Sequence, residues 1–159
     1  NVVSIVDILA DAGAEDFLVF SGADIGLVPS VTLLDTLVPA SVAAIATGLA
    51  ASYNALLNQA LDLLALDITR LDLFALLNSI ADEPGAFGLT NVTDSCITPG
   101  VSVCSNPEEF LFWDGIHLTT AGNMILVDTV RAVVSTPATL LFVLLGIARL
   151  IYQRRSRLS

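Results

Sequence analysis

The chain has a single histidine, His117, and an acid three residues before it, Asp114. Imidazole titrates near neutral pH, so it can take a proton from a hydroxyl and return it to a leaving group. A carboxylate held against one ring nitrogen fixes the tautomer, leaves the other nitrogen as the base and stabilises the imidazolium that forms. An Asp and a His three apart, on a turn leading into a helix, supply both parts from one short segment. The same spacing also suits a purely structural role, in which an exposed loop carboxylate precedes a half-buried histidine that caps the following helix. One histidine and two cysteines lack the paired spacings of a metal site, so no metal is expected.

The elements that must position this pair are legible from periodicity. After His117, Thr119 or Thr120 caps a helix whose apolar face includes Met124, Ile125, Val127, Val130 and Val134, which places His117 at the helix entrance. At the other end of the chain, Val2 to Ala12 has helical spacing and Gly13 stands where a helix stops. Asp16 to Ser21, continuously apolar over Phe17-Leu-Val-Phe20, reads as a buried parallel strand. Asp24 follows at the end of that strand, where open α/β sheets bind ligands, and it either lines the cleft mouth or forms a turn beside Gly26.

A long core helix is predicted from Pro39 to Leu66, a strand from Ile68 to Leu73 and a short helix from Phe74 to Ala81. Pro84-Gly85 breaks that helix, and Gly85 to Pro107 reads as a long loop. The alternation of helices and strands predicts an α/β fold.

Composition constrains partners. Hydrophobic residues make up 55% of the 159 and there is no lysine, which suggests strands buried on both faces and a membrane-seeking segment. All 16 acids and only two cations, Arg70 and Arg131, lie in residues 1–148, so that part carries −14 and the last four arginines reduce the net charge to −10. An acidic body excludes nucleic acid as the expected partner.

Phe110-Leu-Phe-Trp-Asp-Gly-Ile-His-Leu-Thr-Thr-Ala-Gly-Asn123 resembles the last block of the SGNH/GDSL hydrolases, Phe-Trp-Asp-Gly-x-His-x-Thr. Leu18-Val-Phe-Ser-Gly-Ala-Asp-Ile-Gly-Leu-Val-Pro29 resembles that family's strand and Pro-Asp-x-Gly-x-x-Pro loop. Asp72-Leu-Phe-Ala-Leu-Leu-Asn78, Gly85 to Cys96 and Val103-Cys-Ser-Asn-Pro107 resemble the segments leading to the Asp/His block.

The likeness covers most of Asn1 to Val134 and implies a three-layer α/β/α doubly wound, mostly parallel sheet. It implies His117 as general base, Asp114 as its orienter, an ester substrate such as a lipid or an acylated glycan, and no cofactor. The family's Gly-Asp-Ser and Gly-x-Asn-Asp blocks do not occur in this chain. Ser21 is the nearest lookalike to the nucleophile, but it stands in the wrong loop. Leu118 and Asn123 replace a proline and a second histidine of many relatives, and Leu118 is expected to loosen the turn. Residues 1–134 are therefore read as the C-terminal part of a hydrolase domain, incomplete at its N-terminus and starting inside a helix.

Residues 135–159 form a second unit. Pro137-Ala-Thr-Leu-Leu-Phe-Val-Leu-Leu-Gly-Ile-Ala148 is strongly apolar, and Arg149, Arg154, Arg155 and Arg157 follow. A hydrophobic helix from Ala132 to Tyr152 would run about 31 Å, near the thickness of a bilayer core. Arginines at one end keep that end cytoplasmic and place the acidic body outside. A buried amphipathic helix is the alternative. The segment resembles the PEP-CTERM sorting signal of bacterial surface proteins, although only Pro137 of its Pro-Glu-Pro signature is present.

Cys96 and Cys104 lie in a loop rich in Thr, Ser, Asn, Gly and Pro. They form a disulfide in an exported protein or remain two thiols in a reducing compartment, and the export-type tail favours the bridge. The chain is thus expected to belong to an exported, membrane-anchored bacterial esterase. A surface-anchored domain that binds without catalysis is the alternative.

Overall fold

The computed structural model describes residues 1–39, 41–98 and 100–134. The apolar tail and its arginines lie outside the described residues. Among those described, no helix is long and apolar enough to cross a membrane.

Among the described residues, five helices and six strands form a mixed α/β arrangement: α1 Val2–Asp11, β1 Phe17–Phe20, α2 Pro29–Leu37, α3 Val42–Asp62, β2 Ile68–Leu71, α4 Leu73–Asp82, β3 Asn91–Ser95, β4 Ile97–Thr98, β5 Ser102–Val103, β6 Phe110–Phe112 and α5 Thr120–Val134. Strands β1 and β2 pair in parallel, as do β3 and β6, while β4 and β5 form a small antiparallel hairpin. Each pair is a separate two-stranded sheet.

Local chemistry sets the ends of these elements. Asn1 caps α1 by accepting the Ser4 N–H at 2.9 Å. Gly13 follows α1 with φ 99°, the left-handed conformation that a helix stop favours. Asp72 caps α4 through the Ala75 N–H at 3.0 Å.

Four regions differ from the sequence expectations. Pro29 opens an additional helix, α2, because its fixed φ suits the first helical position. The long helix is shorter at both ends than Pro39 to Leu66, since Ser41 is its N-cap and Leu63 its C-cap. The stretch from Gly85 to Pro107 is not one loop but contains β3, β4 and β5. The apolar run of β1 is not buried on both faces: Val19 is buried while Phe20 is 39% exposed, because α1 and α3 pack on the face that carries Phe17 and Val19.

Two apolar clusters hold these elements. Val6, Val19, Leu57 and Leu61 join α1, β1 and α3. Val28, Leu77, Ile80, Leu89, Leu111 and Phe112 join α4 and β6, with Leu118 and Ile125 packed against them. Burying side chains of this size stabilises by about 1.5–3 kcal/mol each.

Helix α3 presents Ala46, Ala50, Asn54, Leu57 and Leu61 inward at helical spacing. Its small residues admit a close neighbour, the 3-10 turn Ile25–Leu27. A Cβ at Gly26 would strike Thr47 Oγ1 and the Ala43 carbonyl, so only glycine fits there. Asn54 accepts the Gly22 N–H at 2.7 Å and donates to the Gly22 carbonyl at 2.8 Å, which fixes the loop after β1.

Cys96 and Cys104 are joined by a disulfide, with Cα atoms 4.8 Å apart. The bridge closes the β4–β5 hairpin, and the Cys104 N–H donates to the Cys96 carbonyl at 2.7 Å inside it. Closing a loop of this length removes denatured-state entropy worth about 2–3 kcal/mol. Replacing both cysteines by serine is therefore expected to lower unfolding stability by about that much, read as a reduced midpoint in urea.

Candidate active site

The chain reverses immediately after β6. The Trp113 N–H donates to the His117 carbonyl at 2.7 Å, and Phe112 pairs with Leu118 in an isolated antiparallel bridge. The turn is thus closed by backbone bonds of Trp113 and Thr119 that, among the described residues, leave the Leu118 N–H unused. At the tip, Asp114 Oδ1 accepts the N–H groups of Ile116 at 2.9 Å and His117 at 2.8 Å. These bonds make the aspartate side chain part of the turn's own framework.

His117 Nδ1 lies 2.8 Å from Asp114 Oδ2 and 3.0 Å from Oδ1. A carboxylate only accepts, so the hydrogen sits on Nδ1 and the lone pair on Nε2. The His117 side chain is 70% exposed, so that lone pair is accessible. The same bonds hold the Asp114 carboxyl at about 2, below its usual 3.8, chiefly through the backbone N–H groups of His117 and Ile116 and then the imidazole. Asp114 thus stays charged wherever an imidazole is neutral.

The turn is anchored on three sides. Downstream, the Thr119 N–H donates to the Leu111 carbonyl at 2.9 Å, and Thr119 Oγ1 donates to the Phe110 carbonyl at 2.6 Å. Thr119 Oγ1 also accepts the Gly122 N–H at 3.0 Å, so this buried threonine caps α5 while tying it to β6. Upstream, the Cys96 and Ile97 N–H groups donate to the carbonyls of Phe112 and Trp113 at 2.9 and 2.8 Å. The disulfide hairpin is thereby bonded to the residue before Asp114. On the third side, the Ser30 N–H donates to the Gly115 carbonyl at 2.9 Å.

The remaining sequence candidates are placed apart from this pair. Ser21 Oγ accepts the Leu73 N–H at 2.9 Å and donates to Asp72 Oδ1 at 3.1 Å, so its hydroxyl is committed to the start of α4. Asp24 is buried and does not line a cleft mouth. It forms the turn by accepting the Gly26 N–H at 3.0 Å, and it also accepts the Thr47 hydroxyl at 2.7 Å and Asn78 Nδ2 at 3.1 Å. The sequence carries little that marks Ser30. Its only signal was Pro29 before Leu33, Leu34 and Leu37, a helix start followed by helical spacing.

An exposed imidazole oriented by an aspartate, on a mixed α/β chain, is an arrangement that can accept a proton from a hydroxyl. No family model matches the chain. A GDSL esterase/lipase of Arabidopsis thaliana is 32% identical over an aligned stretch of 79 residues, covering 42% of this chain and 22% of that protein. A second GDSL esterase/lipase of the same plant is 40% identical over 38 residues, covering 24% of this chain and 10% of its own length. The chain is thus similar to GDSL esterase/lipases, and it spans about a fifth or less of the curated relatives it matches.

Proposed function

We propose that residues 1–134 are the C-terminal part of a GDSL-type esterase with a doubly wound α/β/α sheet. In it His117 removes the proton from a serine hydroxyl, and Asp114 holds the imidazole in the tautomer that permits this. The observation that carries the reading is the Nδ1 to Oδ2 contact of 2.8 Å with Nε2 turned over to solvent. The similarity to GDSL esterase/lipases supports the ester as substrate. The serine and the oxyanion donors come from residues beyond these 159, since no Gly-Asp-Ser occurs among them. Apolar surface on α1 and α3, where Ile5, Leu9, Ile45, Leu49 and Leu56 are exposed, supports a further layer packing there.

Ile116 and Leu118, on either side of His117 in the chain, help line an apolar cavity of about 130 Å³ with Val28, Leu77 and Phe112. Apolar cavities of roughly 150 Å³ stay dry and accept ligands of benzene size. That favours an ester with an apolar acyl group, as in a lipid or an acylated glycan. The disulfide supports export. Residues 135–159 then anchor the protein at a bacterial cell surface, with the arginines on the cytoplasmic side.

The test is turnover of a short-chain chromogenic ester by the complete protein, together with labelling by a fluorophosphonate. The expected result is hydrolysis and one labelled serine upstream of Asn1. Neither turnover nor label would leave the domain as a surface-anchored binding module.

A further inference from the structure

We propose that Ser30 is a positioning residue for the Asp114–His117 pair, acting on it through Gly115. Its catalytic consequence rests on the esterase reading; its geometry does not. Helix α2 starts without a side-chain cap, because its N-cap residue is Val28. Pro29 has no N–H to satisfy, and Val31 N–H is taken by the Val28 carbonyl. The Ser30 N–H is the remaining donor of that first turn, and it is given to the Gly115 carbonyl. The turn that carries the pair therefore serves as the cap of α2.

Contact adds a second constraint. A Cβ built on Gly115 would collide with Ser30 Oγ and come within 3.3 Å of Ser30 Cβ. Gly115 has no left-handed φ to explain it; a larger residue there would turn the Ser30 hydroxyl aside and press on its Cβ. Ser30 thus fixes the Gly115 peptide by a hydrogen bond on one side and by its side chain on the other.

That peptide leads directly into Ile116, whose N–H is given to Asp114 Oδ1. Displacing it weakens one of the bonds that orient the carboxylate, and the carboxylate in turn orients His117 Nδ1. The coupling runs from α2 to the imidazole without Ser30 touching either member of the pair.

Because His117 is the only histidine, nitrogen-15 spectra of the full chain report its tautomer without overlap. At mildly alkaline pH the native chain is expected to show two well-separated imidazole resonances, with the hydrogen on Nδ1. In Gly115→Ala they move toward each other as both tautomers populate, and in the Ser30→Gly/Gly115→Ala double variant the native separation returns. In the complete protein, Gly115→Ala is expected to lower kcat by roughly 10- to 100-fold with little change in KM.

Native resonances in Gly115→Ala, or failure of Ser30→Gly to restore them, would overturn the proposal. If Gly115→Ala does not fold, the double variant alone decides, by its native or altered pattern. Spectra that follow the prediction in a protein without ester turnover uphold the positioning role and sink the esterase reading instead.

Discussion

Replacing His117 by Ala in the complete protein is expected to lower kcat for ester hydrolysis by roughly 10⁴- to 10⁶-fold. The imidazole is the group placed to accept the hydroxyl proton, and its side chain is 70% exposed, so its removal leaves the core intact. Unchanged melting behaviour should therefore accompany the lost turnover.

Asp114→Asn is expected to cost roughly 10⁴-fold by a different route. The asparagine amide donates toward Nδ1, which drives the hydrogen to Nε2 and removes the lone pair from the side facing solvent. The Ile116 and His117 N–H groups retain the Asn oxygen as acceptor, so the turn persists. Steady-state kinetics of the two variants check both statements. Near-native kcat in His117→Ala would refute the assignment of the base.

Asp24→Ala is expected to cost about 3–5 kcal/mol of stability, the largest effect of any single change remote from the pair. The carboxylate is 1% exposed and accepts from Gly26, Thr47 and Asn78. It therefore joins the turn after β1 to α3 and to α4. Truncation leaves three donors facing a dry gap, and donors without partners cost more than the bonds themselves contributed.

Asp24→Asn keeps an oxygen for Gly26 and Thr47 but turns an amide toward the amide of Asn78, so a smaller loss of about 1–2 kcal/mol is expected. Denaturant midpoints of wild type, Asn and Ala variants should fall in that order. An Ala variant as stable as wild type would show that the buried carboxylate contributes nothing to the joint.

Much of the local structure was readable before any coordinates. The helix from Val2, the apolar run of β1, the helix after His117 and its threonine cap all follow from side-chain periodicity and backbone donors that need an acceptor nearby in sequence. Asp114 and His117 belong to the same class, because three residues of turn suffice to bring a carboxylate to an imidazole.

What was misread depended on partners distant in the chain. The pairing of Leu118 with Phe112 exists only once β6 has reversed. The segment from Gly85 to Pro107 carries little periodicity of its own. Its strand β3 forms because β6 lies alongside it, and β4 with β5 are too short to announce themselves.

Asp24 shows the same limit from the other side. An Asp two residues before a glycine predicts a turn whether it faces solvent or the core. Burial under α3 and α4, which supply Thr47 and Asn78, decided that it is a joint rather than a cleft residue. Ser30 and Gly115 are 85 positions apart in the sequence, and nothing in either neighbourhood signals the other. The sequence by itself determined which side chains can carry a proton, because that is a property of residue type and short spacing. Only the tertiary structure decided how the pair is held, because the N–H and the packing contact that fix its turn are supplied by a helix that is close in space and remote in the chain.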